Sequence, residues 1–327
     1  MDTEGRIGFQ QVQDSWAEKR EAVNSALTTL PGPLKAEAEK RLAALTPALP
    51  DFKGLTAWDG SGTVQNNRLA LKIDPKTGAI VSLKDLKSAR EWASPDQPLA
   101  EFGYQTFSKQ DFNRFTAAYL RSYSPDLDKP GLENFDYPAR QWSPRVKSLR
   151  RGHTGGGQRI VIELAPPENP AQPLALVGMP KQVFLEITLP DHGAEIQIVC
   201  QCFSKAPNRL PEALWLSFAP RISDPEGWTL EKVNQPVSPL DVIPNSNRRQ
   251  HAVTREVSYQ DAKGSFTLET LDAPLVTVGA RSLLDFTNTQ PDMHGGVHIN
   301  LHNNLYGTAF PQWYGENMRF RSTLRIA

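Results

Sequence analysis

The sequence contains little cysteine. Its two cysteines among 327 residues, Cys200 and Cys202, lie two positions apart in an apolar run. A strand would point both side chains to one face, where they are poorly placed to form a disulfide. Buried free thiols are typical of reducing compartments, so the sequence predicts a cytoplasmic protein.

An excess of one charge and long hydrophobic runs are also missing. The chain has 36 Lys+Arg against 36 Asp+Glu, a formal net charge of zero, which gives no electrostatic basis for binding nucleic acid or an anionic membrane. No stretch approaches the roughly 20 apolar residues of a membrane-spanning helix. The first residues lack the apolar segment of a signal peptide. We therefore expect no nucleic-acid or membrane partner.

The first part of the chain has the period of two amphipathic helices. In residues 9–30 and 34–49 apolar side chains recur at helical spacing, and Pro31 and Pro33 separate the two segments. The apolar stripes include Phe9, Val12, Trp16, Val23, Leu27, Leu30, Leu34, Leu42, Leu45 and Leu49. The sequence predicts a helical hairpin as a domain of residues 1–54, with one side packed on the following domain and some apolar surface exposed.

From about Leu55 onward the pattern becomes that of short strands. The chain has 27 Pro and 22 Gly, and turn residues separate nearly all the apolar alternating segments. The predicted strands are 67–74, 79–83, 159–164, 182–189, 194–203, 213–218, 265–271, 275–278, 297–301 and 318–326. This pattern favours a mainly β fold, a large antiparallel sandwich over residues 55–327. The proline-rich stretches 124–144 and 165–180 are predicted to be surface excursions.

The densest group of polar residues lies in 293–308. His298, Asn300 and His302 alternate with apolar residues, so a regular strand would place all three on the face opposite the core. Amides and imidazoles can hydrogen-bond sugar hydroxyls, and aromatic rings can cover the apolar face of a sugar. The further candidates for sugar binding here are Asn303, Asn304, Tyr306 and Trp313, with Phe310 and Tyr314 as additional rings. The alternative is a solvated face with core aromatics.

A metal site is not predicted at these histidines. Residues four apart on a strand lie roughly 13 Å from one another, too far to share an ion. A second polar segment, 241–251, contributes Asn245, Arg248 and His251. These side chains could form a rim over a ligand, or the segment could be an ordinary polar turn.

Three segments resemble a known family. Residues 67–80 look like the opening hairpin of the galactose-mutarotase-like supersandwich that ends glycoside hydrolase family 38 α-mannosidases. The segments 208–215 and 294–308 look like a mannosidase-related group in which this region follows a catalytic barrel. The resemblance implies a supersandwich preceded by the remnant of a linking helical bundle.

The resemblance also implies that the catalytic residues of the family have no counterpart in this sequence. In that family the nucleophilic carboxylate and the zinc ligands belong to an N-terminal barrel, and no position here corresponds to them. The implied function is a carbohydrate-associated C-terminal domain that supports sugar binding, with carbohydrate and a catalytic barrel as partners and no cofactor. His298, Asn300, His302 and Asn304 would then have a supporting role.

Two other functions stay open at the level of the sequence. One is a mutarotase-like enzyme with an imidazole of His251, His298 or His302 as acid and a carboxylate as base. This function requires a carboxylate across a pocket from one of these imidazoles, with room for a hexose. The other is a purely structural scaffold or oligomerisation module.

Overall fold

The computed structural model describes residues 9–168, 171–306 and 313–327, without the side chains of Phe9 and Val12. Its helices are α1 (Phe9–Thr28), α2 (Gly32–Leu45) and α3 (Lys109–Tyr119). The first strands are β1 (Thr56–Ala57), β2 (Val64–Gln65), β3 (Leu69–Ile73), β4 (Ile80–Asp85), β5 (Leu99–Thr106), β6 (Arg140–Trp142), β7 (Arg145–Thr154), β8 (Gly157–Ala165), β9 (Gln182–Pro190) and β10 (Glu195–Phe203). The remaining strands are β11 (Glu212–Phe218), β12 (Trp228–Lys232), β13 (Gln235–Val237), β14 (Gln250–Ala252), β15 (Glu256–Asp261), β16 (Gly264–Thr270), β17 (Leu275–Val278), β18 (Val297–Asn303) and β19 (Met318–Ile326).

The strands form two antiparallel sheets. One has ten strands in the order β1-β7-β8-β9-β10-β19-β16-β15-β12-β13, and the other has nine, in the order β14-β17-β18-β11-β5-β4-β3-β2 with β6 paired to β5. Every strand predicted from the sequence is present, so the mainly β antiparallel fold behind an N-terminal helical hairpin is confirmed. The sequence pattern missed helix α3 and several strands, including the central strand β5.

The larger part of the core is an apolar cluster with residues from both sheets. Ile187 and Ile198 of the ten-stranded sheet share it with Phe102 and Leu216 of the nine-stranded sheet, and each of these is at most 2% exposed. Cys200 and Cys202 are buried free thiols, as predicted. Burying apolar side chains on both sheets is the main stabilising contribution in such a sandwich.

The prediction that the proline-rich stretches lie on the surface was wrong in part. The first stretch contains β6 and the buried side chains of Leu132, Tyr137 and Trp142. The second contributes Ala175 and Met179 to the core. Proline interrupts regular structure, but it does not prevent neighbouring apolar residues from packing inward.

The N-terminal hairpin lies against one end of the sandwich. Trp16 meets the ring of Tyr314 with centroids 6.3 Å apart, and Arg20 pairs with Glu316 at 2.7 Å. Helix α2 has no buried residue, and its leucines remain exposed, for example Leu45 at 52%. Some apolar surface of the hairpin is therefore exposed, as expected. Phe9 and Val12 were predicted to belong to its apolar stripe, but their side chains are not among those that the structure describes.

Candidate functional site

A β-bulge in β18 changes which side chains share a face. Opposite β11, Trp215 pairs with Asn300, but its neighbour Leu214 pairs with His302, so Leu301 is the extra residue. Paired residues point to the same side of a sheet and successive residues of β11 to opposite sides. His302 therefore faces the side opposite to Asn300. The prediction that His298, Asn300 and His302 line one face was wrong for His302, because the alternation assumed an unbulged strand.

The face that carries His298 holds a hydrogen-bonded network. We refer to this side of β5, β11 and β18 as the outer face, since Leu216 on the other side packs in the core. Arg281 Nη2 donates to Glu101 Oε2 at 2.6 Å, and Arg281 Nε donates to Ser217 Oγ at 2.8 Å. Ser217 Oγ lies 2.9 Å from His298 Nδ1. The network joins three strands, β5, β11 and β18, and the segment after β17.

Burial keeps His298 neutral, and the network is consistent with one tautomer of its ring. Since Ser217 Oγ accepts from Arg281, its hydroxyl proton is available to donate to His298 Nδ1, which assigns the remaining ring proton to Nε2. Burial, with the positive charge of Arg281 as a smaller cause, lowers the pKa of His298 to about 3. His298 is thus neutral near pH 7 and supports the network without carrying charge.

Gly103 in β5 makes room for Arg281. A Cβ at position 103 would clash with the guanidinium group of Arg281, because it would lie 3.0 Å from Nη2, 2.5 Å from Cζ and closer still to Nη1. A glycine within a strand often marks such a close approach. The residues Glu101, Gly103, Ser217 and Arg281 were missed by the sequence analysis. The feature of the sequence that could have pointed to this contact is Gly103, a glycine within the segment that forms β5.

Beside the network lies a cavity of about 570 Å³. Its walls are formed by Gln105, Gln141, Arg249, residues 280–287 and the side of α3 that carries Asp111 and Arg114. Gln105 Oε1 accepts from Trp215 Nε1 at 2.9 Å, which orients the amide. The volume falls within the usual range of small-molecule sites, about 300–1,000 Å³.

Two hydroxyls in the cavity wall lack partners. Ser282 is 7% exposed and Thr287 is half-buried. Within the described part of the chain, neither Ser282 Oγ nor Thr287 Oγ1 has a hydrogen bond. Buried polar atoms in proteins are nearly always paired, and exceptions often mark a site where another polar group binds.

Both carboxylates in the wall are paired with an arginine. Arg249 Nε lies 2.9 Å from Asp285 Oδ2, and Arg114 is bonded to Asp111. Asp111 also forms the capping box of α3 with Ser108, whose backbone nitrogen donates to Asp111 Oδ2 at 2.7 Å. With Arg140 and Arg281 also in the lining, the wall is polar and carries more positive than negative groups.

The residues predicted in segment 241–251 hold the loops around the cavity. Asn245, with φ +67°, exchanges hydrogen bonds with Asn288, and Arg248 Nη1 donates to Gln290 Oε1 at 3.2 Å. His251 Nε2 lies 3.2 Å from the Arg248 carbonyl, and burial, followed by the charge of Lys232, lowers the pKa of His251 to about 4. These contacts connect segment 241–251 to residues 283–290.

Three more predicted residues lie behind the cavity wall. Asn300 Nδ2 donates to the carbonyl groups of Leu214 and His302, both at 3.2 Å, and its Oδ1 accepts from Asn303 Nδ2 at 2.7 Å. The two amides thus satisfy backbone groups at the bulge. The hydroxyl of Tyr306 donates to the carbonyl of Leu283 at 3.2 Å, which links β18 to the cavity segment.

The other predicted residues belong to a second cluster, on the opposite side of β11. There Lys205 and Glu212 form an ion pair with both side chains fully buried. Asn304 Oδ1 accepts from the Glu212 backbone nitrogen at 2.9 Å, His302 lies 5.5 Å from the Tyr314 ring, and Arg209 lies over Trp313. His302, Asn304 and Trp313 are thus separated from the cavity. Phe310 lies outside the described residues.

A family comparison assigns the chain. The family described as a domain of unknown function, DUF5054, matches residues 1–197. The chain belongs to this family. In this DUF5054 chain the matched region ends within β10, so Ser217, Arg281 and His298 lie beyond it. No curated protein matches the sequence.

Solved structures similar to this DUF5054 chain include both classes that the sequence resembles. An α-mannosidase from Enterococcus faecalis is 11% identical with a TM-score of 0.48, and the match covers 86% of this chain and 30% of that one. A galactose mutarotase-like protein from Lactobacillus casei is 12% identical with a TM-score of 0.43, covering 81% and 99%. The chain spans about a third of the α-mannosidase chains it matches. Likenesses at this level concern the fold alone.

In the described part of the DUF5054 chain, this cavity has no imidazole opposite a carboxylate, which a mutarotase-like reaction would require. No histidine is among the residues lining the cavity, and the rings of His251 and His298 take part in the contacts of its supporting walls. Across the described ranges, no group of three His, Cys, Asp or Glu residues could hold a metal ion. In the same ranges, no helix combines the length and hydropathy of a membrane span.

Proposed function

We propose that this chain is a carbohydrate-associated sandwich domain of a glycoside hydrolase family 38-like protein, which binds sugar in the outer-face cavity and supports a reaction carried out elsewhere. The observation that carries the proposal is the polar 570 Å³ cavity, whose wall includes Ser282 and Thr287, two residues whose buried hydroxyl oxygens have no hydrogen bond within the described part of the chain. A side chain that turns toward the cavity can offer its hydroxyl to a ligand with many hydroxyls without breaking an existing hydrogen bond.

The composition of the wall supports the same ligand class. Gln105, Gln141 and Arg281 offer amide and guanidinium groups, while Phe286 adds an aromatic ring. Sugar binding requires hydrogen-bond partners for hydroxyl pairs together with an apolar surface for the ring face. Both carboxylates in the wall are paired with an arginine, which leaves amide, hydroxyl and guanidinium groups to bind the hydroxyls of a sugar.

Under this proposal the residues predicted from the sequence divide into two groups. His298 positions Arg281 through Ser217. The walls, or the strand and loops behind them, are stabilised by Asn300, Asn303, Tyr306, Asn245, Arg248 and His251. They are positioning residues. His302, Asn304 and Trp313 belong to the second cluster and have no place in the proposed site.

The resemblance to family 38 sequences extends the proposal to a partner. A catalytic barrel, in the same protein or in another chain, would carry the hydrolytic chemistry. The sandwich would hold part of the glycan. A scaffold without sugar binding is the competing function, and titration distinguishes the two.

Calorimetric titration with a Ser282→Ala variant tests the proposal. We expect saturable binding of one or more mannose, glucose or galactose saccharides at millimolar concentration. Ser282→Ala should weaken it about fivefold, the equivalent of one net hydrogen bond. Without ligand the variant should be as stable as the native protein, because the lost hydroxyl has no partner.

The matched control is Ser258→Ala, which removes a half-buried serine from β15 in the other sheet and should leave binding unchanged. Absence of detectable binding for every saccharide contradicts the proposal and favours the scaffold. Binding that Ser282→Ala leaves intact would place the sugar outside this cavity.

A further inference from the structure

We propose that the cavity continues into an aromatic subsite at the end of α3, formed by Tyr119 and Phe286, so that the ligand is an oligosaccharide rather than a single sugar. The inference rests on the proposed function because it concerns the same cavity. It adds a second contact region and a chain-length preference.

The two rings make a continuous surface at the cavity wall. Phe286 is part of the lining, and its ring meets that of Tyr119 with centroids 5.0 Å apart and planes at 70°. Tyr119 in turn stacks on Phe115 at 5.2 Å with planes at 16°. Phe115 is buried and packs on Tyr306, at 6.0 Å. The exposed ring of Tyr119 thus stacks on a buried ring, that of Phe115.

Tyr119 is 51% exposed although its ring contacts two aromatic neighbours, Phe115 and Phe286. A rigid aromatic side chain loses little conformational entropy when a ligand covers it. Its ring face can pack on the apolar face of a pyranose. This combination of exposure and fixed orientation distinguishes Tyr119 from a surface tyrosine held by a single hydrogen bond.

Helix α3 connects the polar and aromatic regions. Asp111, Arg114 and Ala118 lie at spacings of three and four along the helix and line the cavity, which places them on one face. Tyr119 follows directly at the helix end. A glycan with one residue at Ser282 and Thr287 therefore has an aromatic surface for its next residue beside Phe286. The hydrogen-bonding wall gives a monosaccharide site, and the aromatic end extends it.

Paired titrations test the subsite. The probes are mannose with mannotriose, glucose with maltotriose and galactose with a galactotriose. For at least one pair the native protein should bind the trisaccharide about tenfold more tightly than the monosaccharide, a difference of about 1.4 kcal/mol. Tyr119→Ala should remove this gain and leave monosaccharide affinity unchanged, whereas Tyr119→Phe should keep the gain because the ring remains.

The matched control is Tyr123→Ala. Tyr123 is 67% exposed, donates to Asp128 Oδ2 at 3.2 Å and does not line the cavity, so its loss should change neither affinity. Equal native affinity for monosaccharide and trisaccharide overturns the subsite but leaves the proposed function standing. Equal losses for both ligands in Tyr119→Ala also overturn it, because Tyr119 would then act through the fold. No binding of any probe overturns both.

Discussion

At the scale of single residues, the outer face depends on polar side chains buried in defined protonation states. His298 is 9% exposed and joins Ser217 and Arg281. Its neutral form fits this site because a second positive charge beside Arg281, away from water, would be unfavourable. His251 is also buried and has a lowered pKa. Two of the histidines predicted as sugar ligands, His298 and His251, thus make contacts in the walls of the site.

The first prediction concerns pH. The pKa of His298 is about 3 in the folded protein, against about 6.5 in an unfolded chain. Between these values the unfolded state binds more protons, so the free energy of unfolding rises with pH and falls on acidification. We expect His298→Gln to reduce the slope of unfolding free energy between pH 6 and 4 by about 1.4 kcal/mol per pH unit, measured by urea denaturation.

The range from pH 6 to 4 separates the titration of the buried imidazoles from that of the paired carboxylates. Burial by itself would raise the pKa of Asp85, but hydrogen bonds from Arg68 and Ser88 lower it to about 2. The stability contributed by Asp85 is lost only below about pH 4, where the unfolded carboxyl titrates. The slope between pH 7 and 8 serves as an internal control and should be unchanged in His298→Gln. An unchanged slope between pH 6 and 4 would mean that His298 is protonated in the folded protein.

At the scale of elements, the strands with strong alternation could be predicted from the sequence, and the irregular parts could not. β9, β10, β18 and β19 begin within one residue of their predicted positions. The bulge at Leu301 of β18 left no mark in the spacing of His298 and His302. It depends on pairing with another strand, which a local pattern does not contain.

The candidate site was predicted only in part for the same physical reason. The segments 241–251 and 293–306 do lie near one another, through the bonds of Gln250 and Tyr306 to the Leu283 carbonyl. Arg281 and Glu101, however, are 180 positions apart and meet only after β5 and the segment following β17 are brought together. Isolated charged residues carry no local signal of such a partner.

The second prediction concerns the contact between β5 and Arg281. A methyl group in Gly103→Ala would displace the guanidinium, which should lower the free energy of unfolding by about 1–3 kcal/mol, the usual effect of overpacking, and weaken sugar binding. Denaturation and titration measure both. Gly32→Ala is the control because nothing lies within 4 Å of the added Cβ.

A double variant identifies the clash as the cause. Combining Gly103→Ala with Arg281→Met removes the guanidinium that the new methyl group would meet. The two stability changes should therefore sum to more than the change in the double variant. Strict additivity would show that Gly103 affects stability independently of Arg281.

At the scale of the whole molecule, a buried polar cluster ties the peripheral segments to the sandwich. Tyr104 Oη donates to Glu212 Oε2 at 2.6 Å and lies 3.2 Å from the Ala175 carbonyl, while Lys129 donates to the Asn304 carbonyl. Both proline-rich stretches thus reach the end of β11. Burial, ahead of the charge and hydrogen bond of Glu212, raises the pKa of Tyr104 well above 10, so Tyr104 remains a hydrogen-bond donor.

The helical hairpin contrasts with this interior and gives the last prediction. Leu42 and Leu45 are 40% and 52% exposed. Replacing both with glutamine, a good helix former, should change the free energy of unfolding by no more than about 0.5 kcal/mol per site and reduce binding of a hydrophobic dye. Leu185→Ala in the core should instead lose about 2–5 kcal/mol. A comparable loss in the α2 variant would mean that another surface covers these leucines in solution. A concentration series by analytical ultracentrifugation would then show whether that surface belongs to a second copy of the chain.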